Sequence, residues 1–241
     1  MRKTTSLLAA GGLVLGASAP AQSEELGAGW SLSSSVTITS NYIFRGGPES
    51  NEDPSIQGGF EAGHETGAYL GTWAASLSNE GPALELDAYG GYSFDLTDTI
   101  WADVGLYYYG YPEPDGEPSN DLDTVELYGG VGSSIGEVAY DVYLHASDDY
   151  FGSDEESVYA ETNWTVPFGE GFYAGAHLGY LVIDSDTNLD GFDGALTLGY
   201  TYGSLDLSVT GSYIDTDEAE DADDAGDWDQ EQFAFTISRD F

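Results

Sequence analysis

The chain has 241 residues, of which 44 are Asp or Glu and only 4 are Lys or Arg, giving a formal net charge of −40. So few cations exclude a nucleic-acid partner, which requires a basic surface, and the lack of cysteine excludes a disulfide framework. Acidity alone assigns no function, because a high-salt habitat makes proteins acidic whatever they do.

Arg2 and Lys3 precede the apolar run Leu7 to Ala17, and the small-x-small site Ala19-Pro20-Ala21 follows. This order reads as a secretory signal peptide over residues 1–21, removed on export. Its apolar stretch is too short to cross a bilayer as a helix. Residues 22–241 keep Arg45 and Arg239 against all 44 acids, a charge of about −42. They contain no run of about 20 apolar residues, so this part of the chain can cross a membrane only as a closed barrel.

From Trp30 the even positions read Trp30, Leu32, Ser34, Val36, Ile38, Ser40, Tyr42, Phe44, and the odd positions are Ser, Thr and Asn up to Asn41. Period-two alternation of this kind predicts one strand over the whole segment. The pattern returns from Leu84 to Phe94, from Val138 to Leu144 and from Leu205 to Tyr213. About 12 such segments of roughly 10 residues follow one another, the length a tilted strand needs to cross a bilayer. Long breaks such as PEPDGEPSND, SDDYFGSDEE and DTDEAEDADDAGDWD interleave with short ones such as HETGA, IGE, PFGEG and YGS. The prediction is an all-β protein: a single transmembrane up-and-down antiparallel β-barrel over residues 22–241, with external loops, periplasmic turns and both termini on the periplasmic side.

Two stretches near the start, SNYIFRGG (Ser40 to Gly47) and PSIQGGFEAGHETGAYLGTWAAS (Pro54 to Ser76), resemble the TorF-type porin family of proteobacteria. The resemblance implies an outer-membrane barrel with a channel role and supplies no catalytic residues. The chain departs from the family pattern at Asn41, where an acidic residue is preferred, and at Gly47-Pro48-Glu49, where a Ser/Gln-rich turn is preferred.

If the apolar parity touches lipid, the opposite parity lines the lumen. The inward set is then Gln57, Glu61, Glu85, Asp87, Asp103, Glu126, Asp141, Glu161, Asn163, His177, Asp193 and Asp206, with Tyr107, Tyr128, Tyr143 and Tyr159 between them. A lumen of about twelve strands is narrow, and a folded-in loop would constrict it further. Carboxylates along such a passage favour cations. The expected function is passive diffusion of small solutes with cation preference. Glu61, Glu85, Asp87, Asp103, Glu126, Asp141, Glu161 and Asp206 would set the selectivity, and Arg45 would pin these acids or the first loop. With cations so scarce, the acids point to a wet interior, because a dry one would need a partner for each.

Two other readings are open. In one, the barrel is closed and its acidic external loops form a binding surface. In the other, His145 and Ser147, on one face of a strand, form a His-Ser pair similar to that of outer-membrane phospholipase A, with Asn163 to orient His145. Against an enzyme, this parity points inward, and Asp148-Asp149 follows where that family has Asn-Gly.

Asp186, Asn188 and Asp190 precede Gly191 in the manner of half a calcium loop, but Thr197 stands where the closing Glu belongs. The three histidines, His64, His145 and His177, have no metal-ligand spacing, so no metal or cofactor is expected. Trp30, Trp73, Trp101, Trp164 and Trp228 are candidates for interfacial girdles. The stretch FAFTISRDF carries Phe233, Phe235, Ile237 and Phe241 on one face. It resembles the signal read by the barrel-assembly machinery, with Arg239 reaching the headgroups of outer-membrane lipids.

Overall fold

The computed structural model describes residues 23–78, 82–112, 122–184, 190–216 and 230–241; the proposed leader, Asp186, Asn188 and Trp228 lie outside them. The N-terminal part holds β1 (Glu24–Gly27), β2 (Trp30–Thr39) and the small pair β3 (Ile43–Phe44) and β4 (Gly47–Pro48). Then come β5 (Ser55–His64), β6 (Ala68–Ser76), β7 (Leu84–Asp95), β8 (Trp101–Tyr109), β9 (Thr124–Ile135) and β10 (Val138–Ser147). The chain continues through β11 (Ser157–Phe168), β12 (Phe172–Ile183), β13 (Gly191–Tyr202), β14 (Leu205–Thr216) and β15 (Gln230–Asp240). Strands β5 to β15 form an antiparallel meander, and β2 closes it by pairing with β5 on one side and β15 on the other. The result is a closed barrel of twelve strands. β1 continues the β15 column along the base of β2, with Glu24 opposite Leu32.

Successive side chains on a strand point to opposite faces, so the alternation in the sequence sorts the residues into an outside and an inside. Val36, Leu86, Val142 and Leu207 are all 40 to 50% exposed, whereas Glu85, Asp87 and Glu126 are each 1% exposed. This partition is the inverse of a water-soluble core. The turns 65–67, 96–100, 136–137, 169–171 and 203–204 lie at one end of the barrel, together with the start of β2 and the end of β15. The longer connections lie at the other end.

The first segment differs from its reading as a single strand to Phe44: β2 stops at Thr39. Ser40 and Asn41 are the cause. Ser40 donates its N–H to Phe235 O at 2.9 Å and accepts the Phe235 N–H on its Oγ at 2.9 Å, which ends the ladder. Asn41 turns inward, donating to Gln232 Oε1 at 2.9 Å and accepting from the Glu52 N–H at 3.2 Å. The chain then enters the barrel as the β3–β4 hairpin. Its two turn residues, Arg45 (φ 45°) and Gly46 (φ 82°), are both left-handed, as a tight two-residue hairpin demands. Gly46 also answers a close approach, since a Cβ there would lie 2.8 Å from Asp193 Cβ on the far wall.

Two tryptophans correct the girdle expectation. Trp73 and Trp101 lie on the inward parity, with Trp73 edge-on to Tyr42 at 5.5 Å and Trp101 tilted against Tyr143 at 6.1 Å. The alternation around each residue already placed it inside, and parity outweighs the interfacial preference of the side chain. Trp164 faces outward and stacks on Tyr140 at 5.1 Å.

Candidate functional site

The folded-in hairpin carries Arg45 across the lumen to β9. Arg45 Nη2 meets Glu126 Oε2 at 2.8 Å, with the two side chains 9% and 1% exposed. The guanidinium carbon sits 4.1 Å from the Tyr159 ring centroid and 4.8 Å from that of Phe44, close enough for cation–π attraction. Burial opposes the charge on Arg45, but the Glu126 carboxylate more than offsets it and holds the guanidinium even further above its ordinary range.

From Glu126 a line of charged and ionisable groups runs along the wall. His145 Nδ1 is 3.3 Å from Glu126 Oε2, and its Nε2 is 3.1 Å from Glu161 Oε1. His177 Nδ1 lies 3.5 Å from the other oxygen of Glu161, and its Nε2 is 2.8 Å from Asp193 Oδ1. The line therefore passes from the loop through β9, β10, β11, β12 and β13. Antiparallel neighbours bring these side chains together from five different strands.

Tyrosine hydroxyls satisfy many of the remaining acids. Tyr107 donates to Asp87 at 2.8 Å, Tyr69 to Asp103 at 2.9 Å, Tyr159 to Asp193 at 2.9 Å and Tyr173 to Asp206 at 2.8 Å. Longer contacts join Tyr89 to Glu61 at 3.3 Å, Tyr109 to Glu126 at 3.3 Å and Tyr111 to Glu85 at 3.4 Å. Asp141 accepts from Asn163 at 2.9 Å. Scarce cations therefore do not leave these acids without hydrogen-bond partners, because a phenol hydroxyl also donates to a carboxylate, although it adds no positive charge. A sequence signal for this network exists. Inward glycines such as Gly105 and Gly130 face the rings of Tyr128 and Tyr143, which occupy the space a Cβ would need.

The lumen is uneven along its axis. In the outer half, Gln57, Glu85, Asp87, Glu126, His145, Asp193, Thr210 and Gln232 are all buried beneath the hairpin and the tyrosine cluster around Tyr42, Tyr107 and Tyr109. Toward the short-turn end, Ser33, Glu61, Asp141, Asp206, Ser208 and Ser238 are half-buried and line a vestibule. A cavity of about 380 Å³ remains between the hairpin and the opposite wall, bordered by Arg45, Glu49, Tyr150, Tyr159, Phe192 and Asp193. Burial in this region pushes the Glu49 carboxyl up to about 7.

The His-Ser pair is not assembled as the hydrolase reading required. Ser147 Oγ donates to Asp149 O at 2.9 Å, and His145 is held by Glu126 and Glu161. Asn163 bonds Asp141 and His177 and does not orient His145. Asp190 accepts the Ile183 N–H at 2.9 Å, as a turn residue does. Among the described residues no three His, Asp or Glu side chains converge in a metal-holding group. Phe233, Phe235, Ile237 and Phe241 are exposed on the outer face, and Arg239 lies 4.8 Å over the Phe241 ring.

A family model described as "Bacterial protein of unknown function (Gcw_chp)" matches residues 23–241. Among solved structures, the NanC porin is similar at 11% identity and a TM-score of 0.58, over 86% of this chain and 97% of that one. The KdgM porin is similar at 9% identity and a TM-score of 0.56, over 87% and 98%. The COG4313 outer membrane channel from Pseudomonas putida F1 is similar at 16% identity and a TM-score of 0.51, over 92% and 99%. At these identities the likeness is one of fold. No curated protein sequence gives a significant match.

Proposed function

The chain belongs to the Gcw_chp family, and we propose that it is an outer-membrane, porin-like channel for passive diffusion of small solutes, with a cation preference set by its acidic lumen. The observation that carries this reading is the inverted partition: a band of aliphatic and aromatic side chains outside, carboxylates and hydroxyls inside. Water cannot solvate such a band without cost, whereas acyl chains can. The porin folds of NanC and KdgM support the same reading, as does the TorF-type resemblance at Ser40 to Gly47. Export by a leader over residues 1–21 and recognition of Phe233, Phe235, Ile237 and Phe241 by the assembly machinery belong to the proposal.

The charge of the lumen supports the cation preference. Glu61, Asp141, Glu161 and Asp206 are partly reachable from the vestibule, where a low-dielectric wall concentrates their field. KdgM has been solved with an oligogalacturonate, a polyanion that these carboxylates would repel. Reconstitution into a planar bilayer tests the proposal. Current steps with a reversal potential on the cation side of a salt gradient are expected, and anion preference would overturn the selectivity.

The buried outer half of the lumen favours a second reading, a closed barrel acting through its external loops. Absence of any current steps from correctly folded protein would select it. The hydrolase reading has no supporting contact, since Ser147 and His145 each bond elsewhere.

A further inference from the structure

The connection between β10 and β11, residues 148–156, reaches the hairpin with two aromatic side chains. The Phe151 ring lies edge-on to Phe44 of the hairpin at 6.0 Å, and 5.3 Å and 6.0 Å from the rings of Tyr109 and Tyr111 on the wall. Beside it, the Tyr150 ring stands 4.7 Å from Phe151 and 5.8 Å from the Arg45 guanidinium. One loop thus grips two successive hairpin residues, Phe44 and Arg45. Phe151 holds a left-handed backbone at φ 48°, and Asp154 does so at φ 58°. A bulky side chain rarely adopts that region, and such outliers persist only where their surroundings over-determine them. Here the surroundings are hydrogen bonds. Phe151 N–H donates to Thr124 Oγ1 on β9 at 2.7 Å, and the same hydroxyl lies 3.2 Å from Asp149 O. Within the loop, Tyr150 N–H donates to Glu155 O at 3.1 Å, Ser153 N–H to Tyr150 O at 3.2 Å and Asp154 N–H to Asp149 Oδ1 at 3.0 Å.

A loop bonded to itself in this way moves as one piece, and Thr124 ties that piece to the wall. We propose that residues 148–156 form a latch: Phe151, wedged between Phe44 and Tyr109, keeps the hairpin in the lumen, and the hairpin leaves its seat only when that ring is withdrawn. The Arg45–Glu126 pair fastens the hairpin tip to β9, while the latch holds the hairpin through ring contacts. The left-handed φ of Phe151 suits a part that moves. Seated, the ring contacts and the Thr124 bond outweigh the strain; withdrawn, the residue returns to an ordinary backbone region. The strain therefore narrows the free-energy gap between the two positions. The latch stands whether the barrel conducts or is closed, so its test needs no current.

The chain contains no cysteine, so Ser212→Cys supplies a single thiol. Ser212, on β14, is 6% exposed, and its Oγ donates to Gly46 O at 3.4 Å, so the hairpin tip covers it. The probe is a small cationic methanethiosulfonate, applied to the full chain folded in detergent micelles. Under fast opening, labelling tracks the population of the open form. Adding Phe151→Ala to Ser212→Cys should speed labelling by about tenfold or more. Phe60→Ala, which removes a ring from the outer face, should leave the rate unchanged. The urea midpoint should move far less than the labelling rate. An unchanged rate in Phe151→Ala would overturn the latch, and so would an acceleration matched by an equal loss of unfolding stability, which means global opening. Should Phe151→Ala fail to fold, Thr124→Val replaces it: faster labelling is expected from loss of the bond to Phe151 N–H, and an unchanged rate is decisive against the latch.

Discussion

Arg45 and Glu126 meet at 2.8 Å across the lumen although 81 positions separate them in the chain. One residue is the tip of a two-residue turn and the other a mid-wall carboxylate of β9. The pair ties the position of the first loop to the barrel itself. Arg45 also holds a left-handed backbone that a side chain adopts only at a cost of about 1–2 kcal/mol, so the contacts at the tip must outweigh that strain.

Arg45→Ala should release the hairpin. Removing one partner of a buried pair costs about 3–5 kcal/mol when nothing can relax. Here the loop can leave the lumen, so a smaller loss of stability and a larger conductance are expected. Planar-bilayer recordings beside urea titrations of the folded barrel check both. Arg45→Lys keeps the charge but loses the planar fork, and should fall between the parent and Arg45→Ala.

Glu49 makes the loop contact sensitive to pH. Burial raises its carboxyl to about 7, well above the value of about 4.3 in an unfolded chain. The neutral form is therefore favoured in the folded loop. Its contribution is complete below the unfolded value and is lost as pH rises through about 7. Glu85 and Asp87 from β7 and the Tyr42 and Tyr111 hydroxyls surround the same region. Conductance should therefore rise between about pH 6 and about pH 8. Glu49→Gln should flatten that profile.

Tyr107→Phe and Tyr159→Phe should differ in cost. The first takes from Asp87 a 2.8 Å donor, in a carboxylate whose other oxygen is already unpartnered. A loss of about 1–3 kcal/mol is expected for the orphaned group. The second leaves Asp193 with His177 at 2.8 Å, so its loss should be smaller. Urea midpoints of the two variants, measured in the same micelles, decide the order.

Leu196→Arg places a cation in the middle of β13 on the outer face, at a side chain 71% exposed. In a bilayer such a substitution costs about 2–4 kcal/mol at the midplane. Folding into lipid vesicles should weaken by that amount. An unchanged or improved yield without lipid or detergent would count against a membrane-embedded exterior.

The residues that face out and those that face in were legible in the sequence because a strand reverses its side chains at every step. Val36 and Leu86 outside, Glu85 and Asp87 inside, needed only parity. The twelve-strand meander was legible for a related reason: loop lengths alternate along the chain, and each hairpin is a local event. Trp73 and Trp101 show the cost of letting side-chain preference override that parity.

Tertiary structure alone decided who meets whom inside. Asp103 finds Tyr69, and Asp193 finds Tyr159, each at a separation of 34 residues, because closure sets the register of neighbouring strands. Parity says that a side chain points inward but not which inward side chain lies beside it. The entry of Ile43 to Pro48 into the lumen was hidden for the same reason. Tyr42 and Phe44 continue the outward alternation of β2, and only the bonds of Ser40 to Phe235 and of Asn41 to Gln232 on β15 turn the chain inward. Alternation is a property of neighbouring residues, whereas the folded-in hairpin and its charge line depend on contacts that exist only once the wall is closed.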